Sequence, residues 1–203
     1  MTSDVKSEIK LKDENFTIVS NNCLGGYIYQ YYNIEYRTPT LGLFMLAKDY
    51  IKFLTDIKGY LSTELEFINV KDSMYYEEYK SYEDQIKFPI AKLQDIEIFF
   101  MHYKDKEEVV EKWYRRIKKI NWSNLIVVMA ENETFNYDVL KEFDKLPFVN
   151  KICFTRDEYK EIKSSCYING MKDNDILWTV EEISKNFNLT DFINNREIQG
   201  VIH

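Results

Sequence analysis

Apolar residues recur along this chain with two different periods, and the two alternate. Phe16-Thr17-Ile18-Val19 is a short apolar run of the kind that forms a buried strand. "TELEFINV", Thr63 to Val70, sets Leu65 and Phe67 against Glu64 and Glu66, the two-residue period of a half-buried strand. "DIEIFFMHY" from Asp95 to Tyr103, "NLIVVMA" from Asn124 to Ala130 and "KICFT" from Lys151 to Thr155 are β-branched or aromatic runs that predict buried strands. Between the runs the period lengthens to that of a helix. Thr38 followed by Pro39 reads as an N-cap and first helical residue, and Leu43, Ala47, Tyr50, Leu54, Ile57 and Leu61 then form one stripe. Lys106 to Ile120 places Val109, Trp113, Ile117 and Ile120 on one face; Asp138 to Leu146 makes a shorter helix stopped by Pro147. "TVEE", Thr179 to Glu182, is a capping box opening a helix that buries Ile183 and Phe187.

Strands separated by helices predict an α/β fold: a three-layer α/β/α sandwich with a mostly parallel or mixed sheet. A chain of 203 residues without a Pro- or Gly-rich linker is expected to form a single α/β domain, 1–203. Val70 to Phe88 is polar and tyrosine-laden and reads as a flap or insertion, and 156–203 as a C-terminal extension.

Composition narrows the class. With 16 tyrosines and 13 phenylalanines, the core and any pocket walls will be rich in rings. A formal charge of -7 argues against a nucleic-acid partner. The longest apolar stretch, Leu125 to Ala130, is far short of a membrane span, and the N-terminus lacks the apolar segment of a signal peptide. Cys23, Cys153 and Cys166 form no CxxC pair, so neither a disulfide framework nor a cysteine-rich zinc site is indicated, and a reducing cytoplasm is expected.

Two segments carry chemistry. "SNNCLGG", Ser20 to Gly26, lies where a strand hands over to a helix. Gly25 and Gly26 permit positive φ or close backbone approach, and the N–H groups beyond them offer a helix N-terminus to an anion. Asn21 and Asn22 supply orienting amides. Cys23 is either a nucleophile favoured by the helix dipole or a small buried hydrophobe. The segment is neither GxGxxG nor a P-loop. "FMHYKDK" follows the strongest strand, and its His102 is either a base or ligand contact at the strand end or a satisfied capping histidine. One interior histidine and no carboxylate triad give no metal site. In "KEEVVEKWYRRIKK" the basic run reads as a solvated helix face, or as a source of Arg115 or Arg116 for a phosphate or uronate.

"SNNCLGGYIY", "TPTLGLF", "DYIKFL", "FPIAKL", "DIEIFFMHY", "KW", "RR", "NLIVVM" and "KICFT", in that order, resemble a bacterial family associated with exopolysaccharide biosynthesis and described as a domain of unknown function, nineteen-nineteen in its series. The resemblance covers Phe16 to Thr155. It implies an α/β/α fold and a place among capsule or exopolysaccharide proteins, with Asn21, Asn22, Cys23, Gly25, Gly26, Pro39, His102, Tyr103, Trp113 and Arg116 as signature positions. Thr38 stands where serine is expected. The resulting expectation is a transferase, glycosyl-, phosphoglycosyl- or acyl-, with a phosphate- or sugar-binding pocket at strand C-terminal ends. His102 and Cys23 are its candidate catalytic residues, and Asn21, Asn22, Gly25, Gly26, Tyr103, Arg115 and Arg116 bind the ligand. Its donor would be a sugar nucleotide, a lipid-linked sugar or an acyl-CoA. "DND" at Asp173 to Asp175 has the spelling of a metal-binding DxD motif but lies outside the matching region. The alternative is a non-catalytic protein partner or regulator of polysaccharide assembly, docking through the tyrosines between Tyr75 and Tyr82.

Overall fold

The computed structural model describes residues 11–132, 134–171 and 178–196. The N-terminal half runs β1 (Thr17–Ser20), α1 (Leu24–Tyr31), α2 (Ala47–Thr55), α3 (Ile57–Leu61), β2 (Glu66–Ile68) and α4 (Tyr76–Tyr79). It continues through β3 (Ile90–Leu93), β4 (Ile96–Phe99), α5 (Lys106–Ile117), β5 (Leu125–Ala130) and α6 (Tyr137–Lys145). β6 (Lys151–Thr155), β7 (Ser165–Tyr167), α7 (Val180–Ser184) and α8 (Leu189–Asn195) complete it.

The fold is α/β. Four strands form a parallel sheet in the order β1-β5-β6-β7, with Thr17 opposite Leu125 and Val127 opposite Lys151. Successive side chains of a strand point to opposite faces, so a sheet apolar on both faces needs continuous apolar runs, which "LIVVMA" and "KICFT" supply. Ile18, Ile126, Val128, Ile152 and Phe154 enter one hydrophobic cluster with Leu24 and Ile28 of α1, Ile183 of α7 and Phe192 of α8. Val19, Val127, Met129 and Cys153 enter another with Tyr50 and Phe53 of α2, Val109 and Trp113 of α5, and Phe143 of α6. The segment read as a C-terminal extension thus supplies a strand of the sheet and two helices of a core cluster.

The structure departs from the sequence expectation in two places. The run 95–103 is not a strand of the parallel sheet. Its β4 is half of a tight hairpin with β3 around Gln94–Asp95, and β2-β3-β4 form a separate antiparallel sheet. The helix expected from Thr38 begins only at Ala47, and Asp56 interrupts it, its carboxylate capping α3 through the Gly59 N–H at 2.9 Å. Thr38 is instead buried in a turn, its hydroxyl accepting from the Thr40 N–H at 3.2 Å. The "DND" segment lies outside the described residues.

The tract after β2 is built from α4 and two 3₁₀ turns, Val70–Asp72 and Lys80–Gln85. It is held by a buried carboxylate. Glu97 of β4 accepts from the Ser73 hydroxyl and from the Met74 N–H at 2.9 Å, and its own N–H donates to Asp49 at 2.9 Å. Burial pushes the Asp49 carboxyl up from its ordinary range, against the pull of the Glu97 N–H and the Tyr75 hydroxyl.

Residues 38–46 stitch the two sheets together. Ser20 N–H donates to the Thr40 hydroxyl at 3.1 Å and Met45 N–H to the Asn21 carbonyl at 2.8 Å; Phe44 and Phe99 exchange backbone bonds of 2.8 and 2.9 Å. Gly42 makes the bend at φ 71°, where a side chain is disfavoured, and a Cβ there would stand 3.2 Å from the His102 Cβ. Gly42→Ala is expected to cost about 1–2 kcal/mol of stability, roughly 2–8 °C in Tm for a chain of this size. Thermal unfolding checks this, and an unchanged Tm would mean that the bend relaxes without cost.

Candidate functional site

The segment Ser20 to Gly26 turns β1 into α1 without a positive φ at either glycine. Close packing is what demands glycine here. A Cβ on Gly25 would meet the Ser20 Oγ at 2.5 Å, and one on Gly26 would meet the Leu41 Cδ1 at 2.6 Å. The first helical N–H groups need partners from outside the helix. Asn22 Oδ1 accepts from Leu24 at 3.0 Å and Ser20 Oγ from Gly25 at 3.2 Å. Among the described residues, no protein group accepts from the Gly26 N–H.

Gly26 borders a cavity of about 370 Å³. Cys23, Tyr27 and Gln30 of the same turn and helix form one wall; Leu41 and Gly42 of the bend and Tyr36 form a second. His102 and Tyr103, just past β4, and Lys112 and Arg116 of α5 close it. Asp105 caps α5 by accepting from the Glu108 N–H at 2.9 Å, and the helical period then carries Lys112 and Arg116, four residues apart, to one face.

Among the described residues, the lining has cations and no carboxylate. Lys112 is paired with Glu108. Arg116, in contrast, makes no ion pair among the described residues, and its guanidinium donates to the Tyr103 hydroxyl, which in turn donates to the Leu41 carbonyl at 2.6 Å. The guanidinium carbon lies 5.9 Å from the centre of the Tyr103 ring. With five N–H donors, such a side chain retains capacity for an anion. Burial pushes the Tyr103 hydroxyl up, so it stays protonated, while the neighbouring Arg116 pulls the other way. His102 is exposed, and its ring makes no hydrogen bond to another described residue.

Cys23, Gly26, His102, Tyr103 and Arg116 are therefore brought together as candidates, although His102 reaches the cavity from the antiparallel sheet. The others fall outside the lining. Arg115 points into solvent, paired with Glu111 at 2.8 Å, as a solvated helix face predicts. Asn21 is fully buried with both amide atoms bonded to the Ala130 backbone, and Asn22 and Gly25 serve the helix turn. Burial pushes the Cys23 thiol up from its ordinary value, against a thiolate nucleophile. Lys112, Tyr27, Tyr36 and Gly42 were not singled out by the sequence reading. Only the isolated Gly42 within a helix-like stripe signalled a break.

Among the described residues, no group of three or more His, Cys, Asp or Glu could hold a metal ion, and no helix is long and apolar enough to cross a membrane. The chain is 30% identical over 175 residues to an "Uncharacterized protein" of Haemophilus influenzae (strain ATCC 51907 / DSM 11121 / KW20 / Rd), an alignment spanning 86% of this chain and 78% of that protein. A family model described as "Domain of unknown function (DUF1919)" matches residues 1–198, nearly the whole length, and the chain belongs to that family.

Proposed function

We propose that the protein is a transferase of exopolysaccharide or capsule assembly that binds a phosphorylated sugar donor in the cavity between α1, the Gly42 bend and α5. We also read the two clusters flanking the parallel sheet as the outer layers of a three-layer α/β/α sandwich, with the cavity at its rim. The observation carrying the reading is Arg116: a cation that has no carboxylate partner among the described residues, oriented by Tyr103 in a cavity whose described lining contains no acid. A phosphate supplies the missing charge, and its oxygens accept from the guanidinium fork and from the Gly26 N–H. The rings of Tyr27 and Tyr36 offer apolar faces to a sugar or base.

The exposed His102 imidazole accepts the proton of an acceptor hydroxyl. The freed oxygen forms the bond to the donor's anomeric carbon. The carbon–oxygen bond to phosphate breaks, and its electron pair leaves with the phosphate, where Arg116 balances the charge. Cys23 serves as packing in this scheme.

Thermal unfolding in the presence of UDP, CDP, CoA and sugar phosphates tests it. A ligand at one hundred times its Kd stabilises by about 2.7 kcal/mol, a rise in Tm of roughly 5–10 °C. At least one phosphorylated ligand should raise the Tm of the wild type and have less effect on Arg116→Gln. Silence across the set would contradict the reading and favour a non-catalytic partner of polysaccharide assembly, for which the exposed Met74, Tyr82 and Met101 would offer contact surface.

A further inference from the structure

A second cavity, of about 530 Å³, borders the segment just before His102. Met101, the residue preceding His102, lines it, together with Phe44, Tyr79, Tyr82, Phe88 and Phe99. Phe44 follows by two residues Gly42, which lines the first cavity. The segments 42–44 and 99–102 are themselves bonded, by the Phe44–Phe99 pair and by the His102 N–H donating to the Gly42 carbonyl at 3.0 Å. Consecutive Cα atoms lie about 3.8 Å apart, so both cavities border one narrow ridge of backbone.

Their chemistry is opposite. One presents Arg116, Lys112 and His102; the other presents rings and aliphatic groups. The charged residue lining the second is Glu78, which with Thr134 also borders a third cavity. Tyr82 and Met101 remain 56% and 45% exposed, apolar surface that water disfavours and a hydrocarbon chain would cover. A cationic site and an apolar site bordering one turn match the head and tail of an amphiphile.

We propose that the ligand is a single-chain lipid phosphate, its phosphate beside Arg116 and its chain passing over Met101 against Phe44, Phe88 and Phe99. This rests on the reading of the first cavity as a phosphate site and selects the lipid-linked donor among the alternatives. The tract carrying Tyr79, Tyr82 and Phe88, held to β4 through Glu97, forms the outer wall of the chain's path.

Calorimetric titration with inorganic phosphate, butyl phosphate and octyl phosphate, below their aggregation concentrations, tests the proposal. Each fully buried methylene tightens binding about fourfold, so the affinity should rise at least about tenfold from phosphate to octyl phosphate. Met101→Asp, at an exposed position, should remove that gain while its unfolding midpoint stays near that of the wild type. Equal affinities along the series would overturn the lipid assignment and leave the phosphate reading standing. Failure of all three to bind at millimolar concentration would overturn both. A gain that survives Met101→Asp would overturn the placement of the chain. Binding to phosphatidic acid vesicles with no dependence on soluble chain length would overturn the proposal in favour of a membrane surface.

Discussion

Asn21→Ala is expected to be among the most destabilising single substitutions in this protein, at about 3 kcal/mol, or roughly 6–12 °C in Tm. Asn21 is fully buried just beyond β1. Its Nδ2 donates to the Ala130 carbonyl at 2.9 Å and its Oδ1 accepts from the Ala130 N–H at 3.0 Å, so the side chain extends the ladder between β1 and β5. Alanine would leave both Ala130 groups buried and unpaired, each costing about 1–3 kcal/mol. It would also disturb the carbonyl of residue 21, which accepts from Met45 and fixes the bend bordering the cavity. Asn21→Asp should be at least as damaging, since it replaces a donor by an acceptor and adds a buried charge. Urea unfolding measures the loss, and an unchanged midpoint would mean that Ala130 finds other partners and that Asn21 is no anchor.

His102→Ala should abolish surface polymer in a producing strain while leaving the protein folded. The imidazole is exposed and makes no hydrogen bond to another described residue, so its removal should change stability by no more than about 0.5 kcal/mol. Loss of polymer with an unchanged unfolding midpoint would therefore be a loss of chemistry. Cys23→Ser provides the contrast. Because burial holds the thiol protonated, polymer should persist in that variant. Normal polymer from His102→Ala would remove the histidine from the mechanism, and loss of polymer from Cys23→Ser with an intact fold would restore the thiol to it.

The parallel sheet was legible because strands buried on both faces require unbroken apolar runs, as in "LIVVMA" and "KICFT". α5 and α6 were legible through their stripes, and their first turns are capped by Asp105 and Asn136. β7 was missed because three residues, Ser165 to Tyr167, are too few to show a period. The helix-like stripe from Leu43 to Leu61 is indeed buried, but periodicity reports burial and not hydrogen bonding. Tertiary bonds from Thr40, Phe44 and Met45 hold its first part in an open bend. The hairpin of β3 and β4 was hidden by Gln94–Asp95, a turn without glycine in which Gln94 takes φ 59°.

His102 shows how location was legible while its cause was not. The sequence placed it at a strand's carboxyl end, and so it is, but in the antiparallel sheet. It meets the Cys23–Gly26 turn only because the bend at 38–46 ties that sheet to β1. The choice between Arg115 and Arg116 was likewise not legible in the sequence. Adjacent helical residues differ by about 100°, which sends one to Glu111 and the other to Tyr103.

The central claim is that Arg116 forms the floor of a phosphate site. Titration of octyl phosphate into the wild type and Arg116→Gln, followed by the chemical shifts of the Gly26 and Tyr103 amides, tests it most directly. Saturable shifts at both amides in the wild type, with affinity at least about tenfold weaker in Arg116→Gln, are the predicted result, since a charge-assisted hydrogen bond contributes about 1.5–3 kcal/mol. Equal affinity in the two proteins, or shifts confined to residues outside the cavity, would contradict it.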